Sequence, residues 1–245
     1  MASEMRRKSL YQLVMIALFA ALCYIALVLF FFPVGPMFVH FGNLLLVTAA
    51  LLIGGWQGGL AGAIGMGLFD LTRDPVNFPK TFVLKLLIGV IVGLVYHFLA
   101  KKEKFPLNAL IVADVGMFLA PFAVVLYYLI RWGQLSTKAV FLIVGFSVLF
   151  IMLLTFTVLG KRKLKPAVAC AVIAASCGML FNIFGEMAYA FVYNLVIGLP
   201  SRVALLTAAV AQSSTLINAV IAVIGGVGLF LALKGPYQRI SGSGK

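Results

Sequence analysis

Carboxylates are scarce in this sequence. Six Asp and Glu stand against nineteen Lys and Arg in 245 residues, and charged residues together make up only 10%. A soluble domain carries about 25% charged and about 45–50% apolar residues. Here 64% of the chain is hydrophobic and the mean hydropathy is +1.16. The net charge of +13 would point to nucleic acid in a soluble protein. In this chain the bases fall in short clusters between long apolar runs, so they read as membrane-topology signals. A soluble enzyme, a nucleic-acid-binding domain and a disordered tail are excluded. The composition predicts an all-α integral membrane protein with several spans.

Other absences narrow the chemistry. The three cysteines, Cys23, Cys170 and Cys177, sit inside apolar runs without a CxxC pair, and there are only two histidines. They read as buried thiols, with no metal site and no disulfide frame. No GxxxxGK[ST] loop is present, so an ATP-driven role requires separate ATPase subunits. Neither an HExxH zinc helix nor a GxSxG elbow appears, and one intramembrane glutamate makes a poor hydrolase. The expectation is a protein that is not an enzyme and carries no cofactor.

A hydrocarbon core of about 30 Å needs roughly 20 apolar helical residues. Runs of that length cover 11–32, 81–100, 107–130, 138–160, 167–197 and 203–233. Between the first two lies 41–71, apolar but broken by Gly54, Gly55, Gln57, Gly58 and Gly59. Charge decides whether it is one span or two. With two short helices, 41–54 and 58–71, thirteen Lys and Arg fall on the inner side and five on the outer. A single helix would push the KKEK and KRKLK runs outside, against the positive-inside tendency. Eight spans with both termini in the cytoplasm follow, and the chain, 1–245, reads as one transmembrane domain with a tail at 234–245.

An ionisable side chain inside a span is costly and marks a functional site by default. Asn182, Glu186, Tyr189 and Tyr193 stand at offsets 0, 4, 7 and 11, which puts them on one helical face. Gln212, Thr215 and Asn218 share a face of the following span. Counting about 1.5 Å per residue from the outer loop sets Glu186 and Gln212 at nearly one depth, close to the midplane. Two facing polar stripes predict a small cavity open to the outside, though interhelical hydrogen bonding would also account for them. Lys85 enters from the next span, where it either binds a ligand, snorkels or pairs with Asp70. His40 and Asn43 would form a rim. Tyr rings stack on a planar heterocycle, amides read its edge, and a carboxylate accepts from a ring or amino donor. That chemistry suits a pyridoxine- or pyrimidine-like compound.

Three stretches together resemble a known family. ALFAALCYIAL carries the small pair Ala17 and Ala21 of the family's first helix. FGNLLLVTAALLIGGWQGGLAGAIGMGLFDL, from Phe41 to Leu71, is similar to its second and third helices around a Gly-rich turn. FPKTFVLKLLIGVIVG places Pro79, Thr81, Lys85 and Gly89 of its fourth. The family is the S components of energy-coupling factor (ECF) vitamin transporters, in the riboflavin, pyridoxine and hydroxymethylpyrimidine branch. The resemblance implies a six-helix core made of 11–100 and 167–233, with 105–160 as an inserted helical hairpin.

It also implies a membrane-embedded substrate-binding subunit of an ATP-driven importer in a bacterial or archaeal cytoplasmic membrane. Such a subunit docks, here through Ala17 and Ala21, on a transmembrane T component driven by two cytoplasmic ATPase subunits. Asn43 stands where the family has Asp, Glu186 where an aromatic is common, and AVAQSSTLIN replaces the family's Pro-x-Asn…Gln run. These departures fall at the expected pocket and bear on the substrate. Two other readings of the residues stay open: a proton-coupled secondary transporter titrating Glu186, and a non-transporting scaffold.

Overall fold

The computed structural model describes residues 2–34, 37–101 and 166–241. The hairpin expected at 105–160 lies outside the described residues. Six helices and one short β-hairpin follow in order: α1 (Ala2–Leu29), β1 (Phe32–Val34), β2 (Met37–Val39), α2 (Gly42–Leu52), α3 (Gly55–Arg73), α4 (Phe78–Ala100), α5 (Pro166–Val196) and α6 (Ser201–Ser241). A single 3-10 turn, Pro75–Asn77, leads into α4. Helices dominate because hydrocarbon offers no partner for backbone N–H and C=O groups, and a helix satisfies them internally.

Among the described residues, four stretches are long and apolar enough to cross a membrane: Ser9–Leu29, Pro75–Ala100, Pro166–Val196 and Ser201–Ile240. The broken segment 41–71 is two helices, as its glycines predict. They join at Gly54, whose φ of 110° suits a residue without a Cβ. Several boundaries differ from expectation. The first helix begins at Ala2 rather than 11, and α6 runs to Ser241, so the expected tail at 234–245 is helical through 241, since a helix need not end where its apolar run does. The third helix is not short: it has 19 residues, about 28 Å, because the Gly-rich stretch 55–59 is helical rather than a loop. The first helix stops at Leu29, not at 32, because Pro33 restricts Phe32 to an extended backbone and starts a strand there. β1 and β2 pair antiparallel, with Pro33 opposite Phe38.

The helices close into one bundle across the undescribed stretch, with α4 against α5, α2 against α6, α5 against α6, and α3 against both α1 and α4. One apolar cluster runs through all of them, from Cys23 and Leu27 in α1 through Leu46 and Met66 to Ile88, Met179 and Phe230. Among the close approaches are those between α3 and α4. A Cβ built on Gly89 would collide with the Gly59 backbone, and one on Gly93 with that of Gly55. Small residues let the two backbones touch there. Toward the other end Gly67 of α3 packs against the Phe78 and Phe82 rings of α4, and a void with polar groups on its wall lies among the helices.

Candidate functional site

Every described helix contributes to the void, and the hairpin roofs it. Its walls are Leu27 of α1, Asn43 of α2, Met66 and Asp70 of α3, Lys80, Thr81 and Lys85 of α4, Asn182 and Glu186 of α5, and Ser214, Thr215 and Asn218 of α6. Phe38 and His40 close it from the hairpin, and Asn77 stands at the edge. The cavity proper is about 120 Å³, smaller than the roughly 300–1,000 Å³ usual for small-molecule pockets; about 650 Å³ of non-atom space is reached only with the open mouth included. Helical spacing explains the pairs: Thr81 and Lys85, Asn182 and Glu186, and Ser214 and Asn218 each stand four apart and share a face.

Glu186 is the electrostatic centre. Its Oε2 accepts from Lys80 Nζ at 2.8 Å, and its Oε1 lies 3.6 Å from Lys85 Nζ. Lys85 Nζ also donates to Asn182 Oδ1 at 2.7 Å. With Asp70 on the same wall, two cations and two anions line the void, so its lining is neutral overall. Burial makes that balance necessary, since an unpaired charge here would face low dielectric. Lys85 and Glu186 keep only 6% and 11% of their side-chain surface exposed.

His40 lies between β2 and α2, outside the helices. Burial, with the Lys85 charge adding to it, pushes its pKa down to about 3, so the ring is neutral. Its Nδ1 accepts from the Gly42 N–H at 3.0 Å. That hydrogen bond assigns the proton to Nε2, which makes Nε2 a donor. Asn43, also on the wall, is 1% exposed and its Oδ1 has no hydrogen-bond partner.

Of the residues expected at the site, His40, Asn43, Lys85, Asn182, Glu186 and Asn218 meet at the void. Lys85 pairs with Asn182 and Glu186 rather than with Asp70. Tyr189, Tyr193 and Gln212 do not line it. The two tyrosines share the Asn182 face but lie about 10 and 16 Å further along the axis, past the mouth. They stack on each other at 6.1 Å, Lys80 sits 5.0 Å over the Tyr189 ring, and Tyr193 is 46% exposed. Tyr189 belongs to a shallow apolar groove with Pro79, Val83, Leu84 and Leu87. Gln212 folds back on its own helix, its Nε2 donating to Ala208 O at 3.1 Å. Ala17 and Ala21 are exposed on α1.

Sequence reasoning missed Lys80, Asp70, Thr81, Asn77 and Ser214 as wall residues. Lys80 and Asp70 sit at helix ends, where charge reads as topology. Thr81, one turn before Lys85, carried the one usable signal.

A helical membrane bundle, roofed by a hairpin, around a small cavity with a neutral set of charged groups defines a class, that of membrane-embedded binding subunits. The family model of the ECF-type riboflavin transporter S component matches residues 7–159, and the chain belongs to that family. The match covers α1 to α4 and continues through the undescribed stretch. No curated protein and no solved structure matches the chain. Members of the family are substrate-binding subunits of vitamin transporters, not enzymes. In general they work with a T component and ATPase modules. This chain is accordingly a multi-span membrane protein of vitamin transport.

Proposed function

We propose that the void is the vitamin-binding site of an ATP-driven importer's S component, and that it takes a small neutral heterocycle of the pyridoxine or pyrimidine kind. One observation carries the reading. Lys80, Lys85 and Glu186 already pair with one another, while Asn43 Oδ1 and the His40 Nε2–H are left to hydrogen-bond a ligand. A ring with one acceptor and one donor edge matches that inventory. Riboflavin, named by the family, would need a longer flat apolar slot. Among the described residues, Phe38 is the one phenyl or phenol ring on the wall.

Lys85, Asn182 and Glu186 form the floor in this reading, with Lys80, Thr81 and Asp70 beside them. The chain has eight spans and both termini in the cytoplasm, and the void opens to the outside of a bacterial or archaeal cytoplasmic membrane. Ala17 and Ala21, small and exposed on α1, let a T component's helix approach closely, and two ATPase subunits supply the energy. The pairing of both Glu186 oxygens with ammonium groups speaks against a free proton carrier.

The test is to purify the full chain in mild detergent and identify any co-purifying small molecule by mass spectrometry. Riboflavin, pyridoxine and hydroxymethylpyrimidine are then compared for thermal stabilisation. A one-ring heterocycle that is retained by the unaltered chain and lost in Asn43→Leu supports the reading. Retention unchanged in Asn43→Leu overturns the placement of the site, and selective stabilisation by riboflavin overturns the substrate class.

A further inference from the structure

The hairpin over the cavity has an edge to satisfy. Its strands are three residues each and, among the described residues, pair only with one another. The outward N–H and C=O groups of β2 therefore need partners from elsewhere, since a backbone group left unpaired away from water costs as much as a lost hydrogen bond. The side chain of Asn218 serves two of them at once. Its Nδ2 donates to Phe38 O at 3.0 Å, and its Oδ1 accepts from the His40 N–H at 2.9 Å. Those groups stand two residues apart on one edge, the spacing at which a neighbouring strand would bond.

On the opposite side the hairpin is held by ring contacts. Phe38 stacks on Phe31 at 4.3 Å and tilts against Phe69 of α3 at 6.3 Å. Asn218 is thus a polar tether to α6, set against an apolar hold on α3. It is 5% exposed, and both ends of its amide are engaged by the hairpin.

We propose that Asn218 is a positioning residue: it splices β2 onto α6, fixes Phe38 and His40 over the cavity, and sets how long a ligand stays without reading the ligand itself. The effect on residence rests on the binding reading above; the tether does not.

The experiment uses the full chain in detergent micelles with Asn218→Ala. Without ligand, the His40 amide should exchange its hydrogen about tenfold faster. Any of riboflavin, pyridoxine and hydroxymethylpyrimidine that binds the unaltered chain should dissociate faster, with the order of affinities preserved. Asn218→Asp keeps the shape and the acceptor for His40, but its ionised form cannot donate to Phe38. It should give an intermediate rate, and it decides the question if the alanine variant does not fold. Unchanged exchange at His40 in the variant measured overturns the proposal, and so does a reordering of affinities, which marks a ligand contact. If none of the three probes binds the unaltered chain, the binding reading fails, and His40 exchange still decides the tether.

Discussion

The two ends of the α3–α4 pair use one interface in opposite ways. At one end Gly55 and Gly59 meet Gly93 and Gly89 with no side chain between the backbones. At the other, Met66 and Asp70 face Lys80, Thr81 and Lys85 across a void. Glycine contact brings the backbones together at the first end, while at the second polar side chains line the cavity beside the Phe78 and Phe82 rings that pack on Gly67. The first end is governed by volume and tolerates no added atom. The second is governed by charge pairing and tolerates changes of shape better than changes of charge.

The largest effect should come from breaking the closed end. Gly89→Leu drives a side chain into the Gly59 backbone and should cost about 3 kcal/mol or more, read as loss of a cooperative melt in detergent. A melt like that of the unaltered chain would show that the α3–α4 contact is not as tight as described. At the open end, Lys85→Met removes the donor to Asn182 and one of the two cations beside Glu186. Because Lys80 still pairs with Glu186, the loss should be about 2 kcal/mol, below the figure for a fully orphaned buried charge. A double-mutant cycle with Glu186→Gln should show a coupling of about 1 kcal/mol; strict additivity would mean that the two groups do not interact.

Acidity sharpens the contrast further. The unfolded His40 takes a proton near its ordinary value of 6.5, whereas the folded ring, held down by burial and by Lys85, resists until about 3. Between those values the unfolded state binds more protons, so stability falls as pH falls. The loss from pH 7 to 5.5 should be about 1 kcal/mol. His40→Asn, whose Oδ1 can replace the acceptor for the Gly42 N–H, should flatten that slope. An equal slope in both proteins would assign it elsewhere. The smallest effect is expected at Gly228, where an added Cβ meets nothing within 4 Å. Gly228→Ala should shift stability by no more than about 0.5 kcal/mol, showing that glycine matters here by location and not by type.

Much of this was legible in the sequence because hydrocarbon imposes few solutions. Apolar runs, the glycine break at 54–59 and the clustering of bases located every described helix, although α1 and α6 continue eight to nine residues beyond their apolar runs, where polar residues still favour helix. The hairpin was not legible as a strand pair: Pro33, Gly35 and Pro36 marked a break after α1, but nothing in the run showed that its two flanks would pair. Helical offsets found Asn182, Glu186 and Asn218, since a period of 3.6 gives the angle of a side chain around its axis, and Lys85 stood out as a charge inside a span.

The same offsets promoted Tyr189, Tyr193 and Gln212. An angle says nothing about where along the axis a cavity ends, or whether an amide bonds its own helix. Lys80 escaped for a related reason, since it reaches Glu186 through the length of its side chain and not through a shared face with Lys85. The sequence by itself determined a multi-span membrane protein and the family to which it belongs, because solvent and backbone hydrogen bonding act on each segment alone. Tertiary structure decided which polar groups meet, that Glu186 stands between two lysines, and that Asn218 serves the hairpin. Those outcomes depend on depth, crossing and reach between segments distant in the chain.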